Sequence, residues 1–151
     1  MSSRPRRAPA VTALFICLVA GCAGLAGCSN ESLPKCHPVR GKVTLDGKPL
    51  AEAMIVFHPL EDDAPEISKP LAYSGQDGDF ELTTLQPRDG APPGQYAITV
   101  ELRELKADGD QMVRDGRNLL PAIYGDPKTS GFRFLVEGEP NEVPAIDLKS
   151  K

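Results

Sequence analysis

From position 39 onward, apolar and polar side chains alternate in short runs, and each run stops at a turn signal. In VRGKVTL, Val39, Gly41, Val43 and Leu45 share one face while Arg40, Lys42 and Thr44 share the other, the period-2 pattern of a half-buried strand. Asp46-Gly47 then supplies the positive φ that a tight hairpin turn needs. Residues 53–58 are apolar on both faces through Met54, Ile55, Val56 and Phe57, which predicts a strand in the middle of its sheet. A loop rich in Asp, Glu and Pro follows at 59–70, after which the runs 71–74 and 80–84 flank GQDGD and read as a second hairpin. The clearest alternation is GQYAITVEL at 94–102, with Tyr96, Ile98, Val100 and Leu102 expected inward and Ala97, Thr99 and Glu101 outward. Phe132, Phe134 and Val136 repeat the pattern, and 143–148 make a last strand after the turn at 138–141.

Six or seven short strands separated by turns predict an all-β domain, an antiparallel sandwich with a Greek-key-like course. One short helix is expected, a turn or two around Pro121 and Tyr124, where Pro121 suits the first helical position and Pro127 blocks extension. Composition agrees: 14 Gly and 15 Pro with no Trp in 151 residues favour turns over long helices and leave room for one domain and a leader.

The first 27 residues follow another rule. Arg4, Arg6 and Arg7 form a basic start, and residues 11–25 carry no charge, the layout of a secretory signal. The run is shorter than the roughly 20 apolar residues a spanning helix needs and is diluted by glycine. Leu25-Ala26-Gly27-Cys28 resembles the bacterial lipoprotein lipobox, which implies that Cys28 becomes the acylated first residue of the mature chain. Val19-Ala20-Gly21-Cys22 satisfies the same pattern, so Cys22 is the alternative; Cys28 is preferred because it follows the longer apolar run and leads straight into Ser29-Asn30-Glu31-Ser32. Two or more acyl chains hold a protein firmly on a bilayer, at about 0.8 kcal/mol per buried methylene. The division is then a signal peptide at 1–27, a lipidated tether at 28–38 broken by Pro34 and Pro38, and a domain at 39–151.

Cleavage at Cys28 changes both charge and cysteine chemistry. The leader holds three of the 17 basic residues and none of the 21 acidic ones, leaving a net charge of −7, which excludes nucleic acid as a partner because phosphate binding depends on a basic patch. Cys17 and Cys22 leave with the leader and Cys36 has no internal partner; cleavage at Cys22 would instead let Cys28 and Cys36 pair. Neither arrangement has the spacing of a zinc or redox motif.

VRGKVTLDGKPLAEAMIVFHP, SGQDGDFELTT, PPGQYAITV and LLPAIYGDPKTSGFRFLVEGEPN, in that order and spacing, resemble the carboxypeptidase regulatory-like, transthyretin-like domain of short bacterial lipoproteins, of the kind abundant in planctomycetes. The resemblance covers residues 38–149 and implies a seven-stranded prealbumin-like sandwich without a catalytic centre.

Reactive constellations are sparse. Asp77-Gly78-Asp79 with Asp62 and Asp63 offers oxygen ligands of the type calcium takes, but an EF-hand's spacing and distal Glu are missing and turn geometry explains Asp-Gly. His37 and His58, the only histidines, with Tyr73, Tyr96 and Tyr124 do not form a ligand set on sequence grounds, and there is no nucleophile elbow or Ser-His-Asp set. No metal, cofactor or catalytic residue is assigned. The segment RELKADGDQMVRDGRN at 103–118, half of it charged, reads as a long loop on a rigid scaffold, where recognition commonly sits. Arg103, Arg114 and Arg117 are its candidate partner-binding residues, able to pair with carboxylates or phosphates. The expected role is a non-catalytic, lipid-anchored binding or structural module for envelope proteins or polysaccharide, with a periplasmic carrier of a small ligand or ion as the alternative and an enzyme as the last. Ser29 after the lipidated cysteine points to the outer membrane.

Overall fold

Two sheets share one core in the computed structural model, which describes residues 33–61 and 69–151. The leader, Cys22, Cys28, Asp62 and Asp63 lie outside the described residues. The strands are β1 (Val39–Leu45), β2 (Lys48–Pro49), β3 (Met54–Pro59), β4 (Leu71–Tyr73), β5 (Asp79–Glu81), β6 (Gly94–Glu101), β7 (Arg103–Asp108), β8 (Gln111–Asn118), β9 (Phe132–Val136), β10 (Asn141–Glu142) and β11 (Ile146–Leu148). A 3-10 turn, Ala122–Gly125, forms where the short helix is expected, with Pro121 just before it rather than at its first position. The fold is all-β, with more and shorter strands than the pattern implies.

One sheet is built around β1. On one side it pairs antiparallel with β5 (Gly41↔Phe80) and β2 (Leu45↔Lys48), the latter through the Asp46-Gly47 turn, both of whose residues have positive φ. On the other side β10 and β11 run parallel to it, Val39 opposite Asn141 and Val43 opposite Ile146. An antiparallel arrangement throughout is therefore corrected: this sheet is mixed. Of the last strand expected at 143–148 only 146–148 forms, as β11, while β10 lies just before it at the end of the turn expected at 138–141; Pro144 between them has no N–H to give to a ladder.

The second sheet has the order β4-β3-β6-β9 and is antiparallel throughout. β3 lies in its interior, as its apolar run predicts, but its faces differ: Ile55 and Phe57 are fully buried while Met54 and Val56 are half-buried. The runs flanking GQDGD meet in hairpin register only at Gly75–Asp79 and Leu71–Thr83, and between those points each run pairs with a different strand. The turn closes, with the Gly75 N–H donating to the Asp79 carbonyl at 2.8 Å, but β4 pairs with β3 and β5 pairs with β1, so this turn crosses between the sheets. The Leu71–Thr83 bridge, hydrogen-bonded in both directions, ties that side of the sandwich together.

Phe57 stands at the centre of the core, its ring 5.7 Å from that of Tyr96 and 6.5 Å from that of Phe134. The buried Tyr96 hydroxyl donates to the Pro92 carbonyl at 2.9 Å, and burial pushes its pKa up to about 12, so the phenol stays neutral. Ala97 and Thr99, expected to face solvent, are buried as well. His58 caps Thr99, with Nε2 and Oγ1 2.9 Å apart. Lys69 Nζ sits 3.3 Å from the other ring nitrogen, and an ammonium can only donate, so Nδ1 accepts and Nε2 carries the proton to Thr99.

Burial, then the Lys69 charge, holds the His58 pKa below its ordinary value. The unfolded chain therefore takes up this proton first, and the contribution to stability is present above about pH 6.5 and lost as pH falls from there through the lower folded pKa. A His58→Gln variant is expected to show a flatter dependence of urea-unfolding free energy on pH between 7 and 5; an unchanged slope would contradict the assignment.

Candidate functional site

The candidate loop at 103–118 is corrected to a β-ribbon. β7 and β8 pair antiparallel from Asp108↔Gln111 back to Leu105↔Arg114, and after an irregularity close again at Arg103↔Asn118. The turn is Gly109-Asp110, with Gly109 at φ +59. Gly109-Asp110 is a two-residue hairpin signal as Asp46-Gly47 is, with Gly first instead of second, and only the density of charge around it makes the segment read as a loop.

The ribbon grows directly out of the sandwich. β6 runs to Glu101 and β7 starts at Arg103, with only Leu102 between. At this base the Leu119 N–H donates to the Leu102 carbonyl at 2.7 Å. Asn118 Oδ1 accepts from the Leu102 and Leu120 N–H groups, each at 3.1 Å, while Leu120 is buried in the core. Asn118→Ala leaves two backbone donors without their acceptor and is expected to cost about 1–3 kcal/mol. Hydrogen exchange at the Leu102 and Leu120 amides should rise with it; unchanged protection there would refute this role for Asn118.

The three arginines are all on the ribbon but do not converge. Arg103 Nε donates to Glu101 Oε2 at 2.8 Å, Arg117 Nη2 pairs with Glu104 Oε1 at 3.0 Å, and Arg114 pairs with Glu52 while donating to the Arg103 carbonyl at 2.8 Å. Each guanidinium therefore meets a carboxylate of its own chain rather than forming one shared donor set. Gly116 allows this packing, since a Cβ there would stand 2.8 Å from the Glu104 carbonyl oxygen. The charge count hid a second property: Leu105, Met112 and Leu119 are exposed, giving the ribbon apolar as well as ionic surface.

Topology places the ribbon opposite the point where the chain enters the sandwich. His37, expected in the tether, forms a β-bridge with Ala91, so the ordered body starts before Val39. Ala91 precedes the start of β6 by three residues, and β6 then runs eight residues away from that end, about 25 Å at 3.3 Å per residue. The far end holds the ribbon base, the Asp46-Gly47 turn, bound through Asp46 N to the Leu148 carbonyl, and Lys149, whose N–H donates to the Tyr124 hydroxyl.

The remaining sequence candidates stay apart. Tyr73 is exposed with its hydroxyl on Met54, Tyr96 is bound to Pro92 and Tyr124 to Lys149. Asp79 pairs with Lys42 at 3.1 Å, and among the described residues no three His, Cys, Asp or Glu side chains converge as a metal site. The Cys36 thiol is raised in pKa, first by burial and then by Asp89, which keeps it protonated and weakly nucleophilic. Near the chain's point of arrival a cleft of about 180 Å³ is lined by Pro38, Arg40, Glu81, Arg88 and Asn141. It is smaller than the roughly 300 Å³ of small-ligand sites, and its arginines already face Glu142 and Glu81.

No family model matches the chain, and no curated protein matches it. Among solved structures it is similar to a 9R-lipoxygenase from Cyanothece PCC8801, at 14% identity and a TM-score of 0.45, over 76% of this chain and 16% of that one. It is also similar to a DUF3823 family protein from Parabacteroides merdae ATCC 43184, at 14% identity and a TM-score of 0.36, over 77% of this chain and 46% of that one. The chain thus spans about a sixth of the lipoxygenase and under half of the second protein.

Proposed function

We propose that this chain is a lipid-anchored envelope module without catalytic activity, a member of the carboxypeptidase regulatory-like, transthyretin-like class with its seven-stranded Greek-key course. Its anchor is Cys28, or Cys22 in the alternative, and its β7–β8 ribbon contacts envelope proteins or polysaccharide. The observation that supports this reading is the ribbon's position: a half-charged, partly apolar arm at the end of the sandwich opposite the N-terminal approach. Recognition elements carried on a rigid scaffold away from its attachment point reach partners without disturbing the core. The outer membrane is the proposed address, from Ser29 after the cysteine.

The test is a crosslinking pull-down from intact envelopes, comparing the natural chain with one in which 104–117 is replaced by a tight Asn-Gly turn. Partners are expected to be lost while the unfolding midpoint of the sandwich changes little. Identical partner sets from both chains would overturn the ribbon's role.

A further inference from the structure

We propose that two copies of this chain pair edge to edge along β8, joining their ribbons into one four-stranded antiparallel sheet about a two-fold axis at Gly116. Among the described residues β8 pairs with β7 alone, and its residues Asp115, Gly116 and Arg117 have no register partner on β7 where that ladder is irregular, so backbone groups there and along the other edge remain for a further strand. The side chains choose the strand. In an antiparallel pair, residues directly opposite point to the same face, so a two-fold axis must pass through a residue rather than between two.

Centring the axis on Gly116 sets Asp115 opposite Arg117 of the second copy, twice by symmetry, and Val113 opposite Leu119. Arg114 then faces Asn118, and at the axis two glycines meet with no side chain between them. Shifting the axis by one residue loses this match: on Asp115 it opposes Val113 to Arg117, and on Arg117 it opposes Asp115 to Leu119. Opposite charges and apolar pairs across a strand pair stabilise it, whereas a charge facing an apolar side chain does not.

The face that would carry these contacts is available. Asp115 and Arg117 are exposed and Leu119 is 49% exposed, while Arg114 and Asn118, on the other face, are held by Glu52 and the ribbon base. Arg117 stands 3.0 Å from its own Glu104, so Asp115 of the second copy would complete a carboxylate–guanidinium–carboxylate row. This pairing goes beyond the envelope-module reading, because it is read out on the purified chain with no other envelope molecule present; either can fail alone.

The experiment is sedimentation equilibrium of the full mature chain in detergent micelles, for the natural protein, Asp115→Arg, and the swapped pair Asp115→Arg with Arg117→Asp. A dimer is expected for the natural chain, dimerisation weakened by roughly tenfold or more in the single variant because like charges now face each other twice, and recovery in the swap. A natural chain that is monomeric at about 100 μM, a dimer indifferent to Asp115→Arg, or a swap that restores nothing would each overturn the proposal.

Discussion

Phe57→Ala is expected to lower the unfolding free energy by about 3–5 kcal/mol, measured from the urea midpoint at constant slope. Phe57 is fully buried and is the aromatic shared by both neighbours in the second sheet, Tyr96 on β6 and Phe134 on β9. Truncation removes its apolar area and leaves a cavity that rigid strands on either side cannot close. A domain of this size holds about 5–15 kcal/mol in total, so the variant would stand close to the unfolding threshold. Phe57→Leu, which keeps most of the volume, should lose much less. A loss under about 1 kcal/mol for the alanine variant would contradict the full burial of this ring.

Gly90→Ala is the second large effect. Gly90 has φ +89, and a Cβ on it would overlap the His37 carbonyl and stand 2.8 Å from the Pro38 Cα. Its neighbours are already committed: the Gly90 N–H donates to the Leu82 carbonyl at 3.0 Å, and the Thr84 hydroxyl donates to the Gly90 carbonyl at 2.6 Å. Left-handed backbone costs about 1–2 kcal/mol for a residue with a side chain, and overpacking adds about 1–3 kcal/mol. The expected sum is about 2–5 kcal/mol, together with loss of the His37–Ala91 bridge. Gly47→Ala serves as the reference, since Gly47 has φ +78 but open space around it, so only the backbone cost of about 1–2 kcal/mol applies. Equal losses in the two variants would contradict the close approach of 37–38 to Gly90, and with it the way the N-terminal segment joins the sandwich.

Local chemistry was readable in the sequence; partners distant in the chain were not. The inward placing of Tyr96, Ile98 and Val100, the Asp46-Gly47 turn and the short helical turn after Pro121 all depend on near neighbours, and each appears in the fold. Which sheet a strand joins does not depend on near neighbours. GQDGD closes a turn as its residues require, yet the strands beside it find β3 and β1. The parallel pairing of β10 and β11 with β1 is equally remote in sequence. Ala97 and Thr99 are small enough to face either way, and it is His58, from a different strand, that covers Thr99. For the candidate site, the segment and its arginines were visible from composition. Its ribbon structure was hidden by charge, and the carboxylates that occupy the arginines include Glu52, which no local pattern connects to Arg114.

In the proposed function the sandwich is attached to the bilayer at one end and carries the β7–β8 ribbon at the other. Resonance energy transfer from a donor on the protein to acceptor lipids tests this most directly, with the donor placed in turn at Asn141→Cys beside the N-terminal approach and at Met112→Cys on the ribbon, both in a Cys36→Ser background and on the lipidated chain in vesicles. Strong transfer from position 141 and weak transfer from position 112 is the expected order. Equal transfer, the reverse order, or a chain that does not stay with the vesicles would contradict it.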